Sequence, residues 1–374
     1  MRLSINSRVS PPGTCRESSQ PTVISNTQRS DPLIEGAPTE EVVTRPELEA
    51  LLGANDSPRH YIGLEVSGFL HLGSLLSTGY KINDFAAAGC RCTVLLADWH
   101  TMLNDKLGAD LGAISRVSRY YRDAFSRVCP GAEILTGTEL YAKTDSYWGD
   151  VAGIARHVSL ARAMRTLTIM GRSESDGVDL AKLLYPPMQA ADIHALDADI
   201  AHAGMDQRKI HMLAREVFPR MGWKVPVSVH QSLLPGLGGP GGSAAGGGAA
   251  AKMSKSSPAS GIFIHDTDAE IRKKVSREWC EARTVEGNAL LAIARDVVLR
   301  GGAGLRIERP ERFGGDIAYP EYGALEADYA SGALHPSDLK SGVAEALVSI
   351  VGPVRDSLRL DEEVRALISG AQAG

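Results

Sequence analysis

Short apolar runs alternate with amphipathic stretches from about residue 60 to residue 220. Residues 60–66 (HYIGLEV) read as a strand, which ends at the small-residue turn Ser67-Gly68. A helix follows from about His71 to Ala88. Thr93 to Ala97 predicts a buried strand. Residues 110–127 predict a helix carrying Arg116, Arg119, Arg122 and Arg127. Ala132 to Thr136 reads as a strand, residues 147–171 and 186–197 as helices, and Asp199 to His202 as a short strand. In Gln207 to Arg220, Ile210, Leu213, Ala214 and Val217 recur at helical spacing and give one apolar face. Strands alternating with helices predict an α/β fold, a Rossmann-like doubly wound parallel sheet with helices on both faces. Ligands in such sheets bind beyond the carboxyl ends of the strands. This unit spans residues 41–235, with a helical insertion at about 105–172.

The flanks follow other patterns. Residues 1–40 are rich in Ser, Thr, Pro and Arg and lack periodicity, so they read as a disordered tail. The excess of arginine there also fits an organelle transit peptide, but no amphipathic helix pattern accompanies it. Residues 236–251 (GLGGPGGSAAGGGAAA) hold no side chains that could bury surface, and they predict a flexible loop within 236–266. From 267 to 374 the pattern is mostly helical and suggests a separate C-terminal domain.

Composition narrows the class. Hydrophobic residues make up 43% and charged residues 23% of the 374-residue chain, ordinary values for a globular protein. No apolar run is long enough to span a bilayer. The net charge of −5 gives no global field for nucleic acid, so any RNA contact must use local basic patches. Five scattered cysteines (Cys15, Cys90, Cys92, Cys129 and Cys280) fit reduced thiols in a cytosolic protein and no structural metal.

Two short motifs carry the chemistry. His71-Leu72-Gly73-Ser74 opens a helix after a strand and a small-residue turn. Gly63, Gly68 and Gly73 allow close backbone approach, and a helix start offers free N–H groups suited to phosphate. Lys252-Met253-Ser254-Lys255-Ser256 follows the Gly-rich loop. Its two lysines could meet charge that builds on pyrophosphate when a carboxylate attacks the α-phosphorus of ATP. A third feature is Tyr185, Gln189 and Asp192, spaced to share one helical face after Pro186-Pro187 at the first turn. A buried Asp192 needs a partner, and a substrate phenol is a suitable donor. Asp206, in Gly204-Met205-Asp206-Gln207, could cap a helix or accept hydrogen bonds from a ribose.

With these residues in place, the chain resembles the tyrosyl-tRNA synthetases of the archaeal and eukaryotic branch of class I. The stretches YIGLEVSGFLHLG, LLADWH, YPPMQAADIH, GMDQRKIHMLARE, ERPERFGGD and LHPSDLK are similar to that family's blocks, in order, from about Tyr61 to about Leu358. The resemblance implies that Tyr61 and Asp192 hold the phenolic hydroxyl of tyrosine. It places Tyr185, Gln189 and Gln207 at the α-amino end, with Glu65 nearby. His71, Gly73, Gly204, Asp206, Lys252, Met253, Ser254 and Lys255 then fall on the ATP site, with His71, Lys252 and Lys255 as catalytic groups. Arg165 and Arg208 match basic residues near the tRNA acceptor stem. Phe313, His335, Pro336 and Asp338 match a pocket for the first anticodon base, although Phe313 by itself reads as a core aromatic.

The implied activity is ligation of L-tyrosine to tRNA(Tyr) through a tyrosyl-adenylate, with ATP as substrate and Mg²⁺ accompanying it. A cytoplasmic homodimer is also implied, with no membrane partner. The chain departs from the family pattern at Ser74, where the fuller first motif has a second histidine. It departs again in the long Gly/Ala-rich loop before Lys252, and the tail has no counterpart. Three rival readings are a tryptophanyl-tRNA synthetase, a small nucleotidyltransferase and an RNA-binding protein without catalysis. The Tyr61/Asp192 pair, the lysine motif and the complete tyrosine set argue against them in turn.

Overall fold

The computed structural model describes residues 32–167, 179–239, 252–253 and 260–373, with side chains to residue 370. Its centre is a six-stranded sheet: β1 (Thr39–Val43), β2 (Arg59–Leu64), β3 (Arg91–Leu96), β4 (Glu133–Thr136), β5 (Ile200–Gly204) and β6 (Val227–Gln231), in the order β1-β6-β5-β2-β3-β4. All neighbours run parallel except β1, which pairs antiparallel with β6 at the edge. After the edge strand β1 the chain crosses to the central β2 and winds out through β3 and β4. It then returns to build β5 and β6 on the other side. The winding therefore reverses between β2 and β5, which opens a crevice at their carboxyl ends.

Alternation along β2 divides the core. Ile62 faces one apolar layer with Leu75, Phe85, Val94 and Phe125, while Tyr61 faces the other with Met188, Ile210 and Leu213. The helix after the first motif begins as a π-turn, Leu72–Ser77, and continues as an α-helix, Thr78–Ala87. The helix predicted over 110–127 is Leu111–Val128. The continuous helix expected over 147–171 is broken. Tyr147–Ala155 ends, and Ser159 caps a new helix, Leu160–Thr166, by accepting from the Arg162 N–H. Residues 168–171 of that expectation lie outside the described residues.

Structure begins earlier than the tail boundary at residue 40 implied. Ile34 is fully buried, and β1 already occupies 39–43. The buried Lys81 ammonium donates to the carbonyls of Leu33 (2.7 Å) and Gly36 (2.9 Å), which ties this segment to the signature helix. From 267 on the chain forms helices Asp268–Arg277, Tyr322–Ser331, Pro336–Ser357 and Glu362–Ala373 and a small antiparallel hairpin, β7 (Leu305–Ile307) and β8 (Ile317–Tyr319), which packs on Pro336–Ser357 and which the residue pattern does not predict. Their apolar residues, among them Val343 and Leu347, join the same buried cluster as Ile62 and Val94 of the sheet.

Candidate active site

The carboxyl end of β2 places Tyr61 and Gly63 on the crevice side. Tyr61 is 2% exposed, and a Cβ on Gly63 would fall on its hydroxyl, so the absent side chain at 63 makes room for the ring. Burial, and then the Asp192 carboxylate, raise the Tyr61 phenol well above its ordinary pKa. Asp192 lies on helix Tyr185–Ala195 and is 1% exposed. Its Oδ1 accepts from the Tyr147 hydroxyl at 2.7 Å. Its Oδ2 has no hydrogen-bond partner among the described residues. Burial pushes this carboxyl up to about 7, against the pull of the Tyr147 and Tyr141 hydroxyls.

His100 Nε2 stands 3.6 Å from Oδ2, and burial lowers this imidazole to about 3. A neutral ring at that distance is a neighbour, not an ion pair. Tyr185 turns its edge toward His100 and donates to Glu65 Oε1 at 2.9 Å, and Asn104 Nδ2 reaches the same oxygen at 2.9 Å. Gln189 Nε2 donates to Gln207 Oε1 at 3.4 Å, and Gln189 Oε1 is buried without a partner. The set expected to surround an amino acid, Tyr61, Glu65, Tyr185, Gln189, Asp192 and Gln207, is therefore linked by contacts across β2 and two helices. Tyr147, His100 and Asn104 were not singled out from the sequence. They join the set through contacts 39 to 92 residues away in the chain, from Asn104–Glu65 to His100–Asp192, which leave no local pattern.

His71 caps the π-turn. The Ser74 N–H donates to His71 Nδ1 (3.3 Å), and the His71 N–H donates to Ser74 Oγ (3.0 Å). Ser74, the departure from the family motif, thus completes a reciprocal capping box. Gly73 lies beneath the His71 ring, where a Cβ would come within 3.3 Å of Cε1.

Gly204 ends β5, and a Cβ there would strike Leu233 and Asp206. Asp206 caps no helix: the following helix, Arg208–Val217, starts without a side-chain cap. The Asp206 carboxylate instead accepts from Lys252 Nζ at 2.5 Å. Lys252 bridges to Pro235, and the N–H of the buried Met253 donates to the Leu234 carbonyl, so the first lysine of the second motif is held at the crevice. Ser254 and Lys255, like most of the Gly-rich loop, lie outside the described residues.

The residues expected at tRNA are separate from this set. Arg165 is exposed at the end of its helix. Arg208 forms a two-pronged ion pair with Glu41 at 2.7 and 2.9 Å, so it already has a structural partner. Phe313 is no core aromatic: it is 59% exposed on the turn between β7 and β8, with the Arg312 guanidinium over its ring. His335 caps helix Pro336–Ser357 by accepting from the Ser337 N–H, and Asp338 follows in the first turn.

Comparison with known proteins gives the family and the fold. The family model described as tRNA synthetases class I (W and Y) matches residues 54–352. The tyrosine–tRNA ligase of Aeropyrum pernix is 42% identical over 344 residues, 89% of this chain and 94% of its own length. That of Thermococcus sibiricus is 42% identical over 365 residues, 91% and 97% of the two chains. The structure of Pyrococcus horikoshii tyrosyl-tRNA synthetase complexed with L-tyrosine superposes with a TM-score of 0.83 at 38% identity, covering 92% of this chain and 99% of that one. A Plasmodium falciparum tryptophanyl-tRNA synthetase shares the fold at a TM-score of 0.64 and 16% identity. On the strength of the family match and of relatives aligned over nearly their whole length, this chain belongs to the class I tRNA synthetases of the W and Y family.

Proposed function

We propose that the protein is a tyrosine–tRNA ligase: it joins L-tyrosine to ATP as tyrosyl-adenylate and passes the tyrosyl group to the 3′ end of tRNA(Tyr). The observation that carries the amino-acid choice is Asp192. A buried carboxylate with one oxygen unpartnered, beside the Tyr61 hydroxyl, suits a ligand that brings a phenolic O–H to that point. Phenylalanine would leave these groups unpaired, at about 1–3 kcal/mol for each buried group. Tyr185, Gln189 and Gln207, with Glu65 behind Tyr185, supply donors and acceptors for the α-amino end.

In the first step a tyrosine carboxylate oxygen attacks the α-phosphorus, the bond to the β-phosphate oxygen breaks, and pyrophosphate leaves. No protein nucleophile is required. The chain positions the reactants and meets the growing charge with the His71 imidazole, Lys252 and Lys255. Gly73, Gly204 and Asp206, with Met253 and Ser254 of the second motif, form the nucleotide side. Mg²⁺ accompanying ATP would supply neutralisation of the phosphate charge. Among the described residues no group of three or more His, Cys, Asp or Glu is disposed to hold a metal ion.

Residues 41–235 then form the catalytic unit, 236–266 the loop bearing the second motif, and 267–374 the part that reads the anticodon. Arg165 and Arg208 face the acceptor stem, and Phe313, His335, Pro336 and Asp338 the anticodon. A homodimer is supported by Trp148, Leu160, Leu180 and Leu184, apolar side chains left exposed in one stretch of the chain. Cytoplasmic residence is supported by Cys90, Cys92, Cys129 and Cys280, which are all unbridged. No helix among the described residues is long and apolar enough to cross a membrane.

The test is ATP–pyrophosphate exchange with each of the twenty amino acids, with Mg²⁺ and without tRNA. Exchange with tyrosine alone is expected. Exchange with tryptophan would keep the fold and overturn the substrate. No exchange from folded protein would favour an RNA-binding role without catalysis.

A further inference from the structure

Beneath the first motif, on the sheet face opposite Tyr61, a line of buried polar side chains crosses three strands. His60 of β2, His202 of β5, Gln231 of β6 and Thr78 of the signature helix are each no more than 6% exposed. His60 Nε2 is 3.0 Å from His202 Nδ1, and His202 Nε2 is 3.0 Å from Gln231 Oε1. Gln231 Nε2 is 3.0 Å from Thr78 Oγ1, which is 2.9 Å from the Gly73 carbonyl oxygen.

The direction of every bond follows from the last acceptor. A carbonyl only accepts, so the Thr78 hydroxyl gives its proton to Gly73. Thr78 Oγ1 must then accept from the amide nitrogen of Gln231, which turns the Gln231 oxygen toward His202. His202 therefore carries its proton on Nε2. Burial keeps both histidines neutral, so His202 Nδ1 accepts from the Nε2–H of His60. Each link has one polarity, and the chain runs from His60 to the Gly73 carbonyl.

That carbonyl belongs to the same planar peptide as the Ser74 N–H. The Ser74 N–H in turn donates to Nδ1 of His71. A nitrogen that accepts a hydrogen bond carries no proton, so this bond places the His71 ring proton on Nε2, the tautomer that can donate to a phosphate oxygen.

We propose that Thr78, Gln231, His202 and His60 are positioning residues for nucleotide activation: their one-way hydrogen-bond chain fixes the Gly73–Ser74 peptide and, through it, the tautomer and orientation of the His71 ring. This rests on the reading that His71 serves the ATP site. None of the four touches the substrates. Their effect is to hold a peptide plane whose far end selects the donor form of a catalytic imidazole. The second consequence is for the π-turn itself. Gly73 O receives both the N–H and the hydroxyl of Thr78, which supports the wide turn at the point where the motif meets the nucleotide.

The test compares the wild type with Thr78→Val, Thr78→Ser and Gln231→Met. Thr78→Val removes the hydroxyl with little change of shape. Gln231→Met cuts the chain one link earlier and leaves the Thr78–Gly73 bond in place, so the outcome does not depend on one variant folding. Two readouts are taken: ATP–pyrophosphate exchange, and the ¹⁵N imidazole spectrum of His71, assigned with His71→Ala. Thr78→Val is expected to lower kcat for exchange about tenfold, with the KM for tyrosine within about twofold, and to show a tautomer mixture at His71. Gln231→Met is expected to fall between it and the wild type, and Thr78→Ser to restore both readouts. A lowered Tm with unchanged kcat and an unchanged His71 spectrum in Thr78→Val and Gln231→Met would overturn the proposal. The underlying reading fails separately, if His71→Ala exchanges as fast as the wild type.

Discussion

At the scale of single residues, Asp192 sets the most direct expectation. Burial raises its carboxyl to about 7, while an unfolded aspartate titrates near 3.8. A raised acid stabilises the empty protein in its protonated form. That contribution is complete below about pH 4 and is lost as pH rises through about 7. Tyrosine works in the opposite direction, because the phenolic O–H makes a stronger, charge-assisted bond to an ionised Oδ2. Tyrosine should therefore bind about tenfold more weakly at pH 6 than at pH 8, and the rise in Tm that it causes should grow with pH. Asp192→Asn should bind tyrosine weakly and without this pH dependence, and leave the KM for ATP little changed. Titration calorimetry across pH 5.5–8.5 checks the point. A flat profile in the wild type would mean that Asp192 does not meet the phenol. The sequence pointed to Asp192 through its helical register with Tyr185 and Gln189. It could not point to Tyr147, whose hydroxyl shares the carboxylate from another helix.

At the scale of elements, β2 leads into the first motif and orients its own side chains, Tyr61 and Gly63 among them, by alternation alone. Gly63 is the point where that strand has no tolerance. A methyl group there would lie on the Tyr61 hydroxyl, and the neighbouring strands β3 and β5 leave the backbone nowhere to move. Gly63→Ala should cost about 1–3 kcal/mol of stability through overpacking. It should also displace Tyr61, so that the KM for tyrosine rises well before the KM for ATP. Thermal melts and exchange kinetics read the two effects, and a variant with wild-type tyrosine KM would show that Tyr61 is free to move. Strands with apolar runs, β2 to β5, were legible within a few residues. The misses have physical causes. β6 (VSVHQ) is buried at all five positions, and its polar His230 and Gln231 are satisfied only by His211, Glu41, His202 and Thr78 from elsewhere in the chain, while Ser228 Oγ has no partner among the described residues. β1 is a half-exposed edge strand whose pairing with β6 spans nearly the whole catalytic unit. The same long-range pairing defeated the Asp206 capping alternative: its partner, Lys252, is 46 residues away.

At the scale of the whole molecule, adenylate formation and tRNA reading should separate. The residues after 267 share a continuous apolar core with the sheet, and Arg116 pairs with Glu363 while Arg300 pairs with Asp84 across the junction. Damage to that core would reach the crevice. Phe313 lies outside it: more than half exposed at a hairpin turn, it contributes little burial, and its loss should leave Tm and pyrophosphate exchange unchanged. An exposed aromatic suits stacking with an unstacked base, worth about 1–3 kcal/mol by alanine substitution. Phe313→Ala should therefore lower kcat/KM for charging tRNA(Tyr) by about 5- to 150-fold. Asp338→Ala, in the first turn of the helix that supports the hairpin, should act in the same direction by removing a base-edge acceptor. The check is to measure both steps on the same preparation. Loss confined to charging places the anticodon contact on this hairpin and helix. Equal loss in exchange and charging would mean that the substitutions act through the shared core, and the anticodon assignment of both residues would then be abandoned.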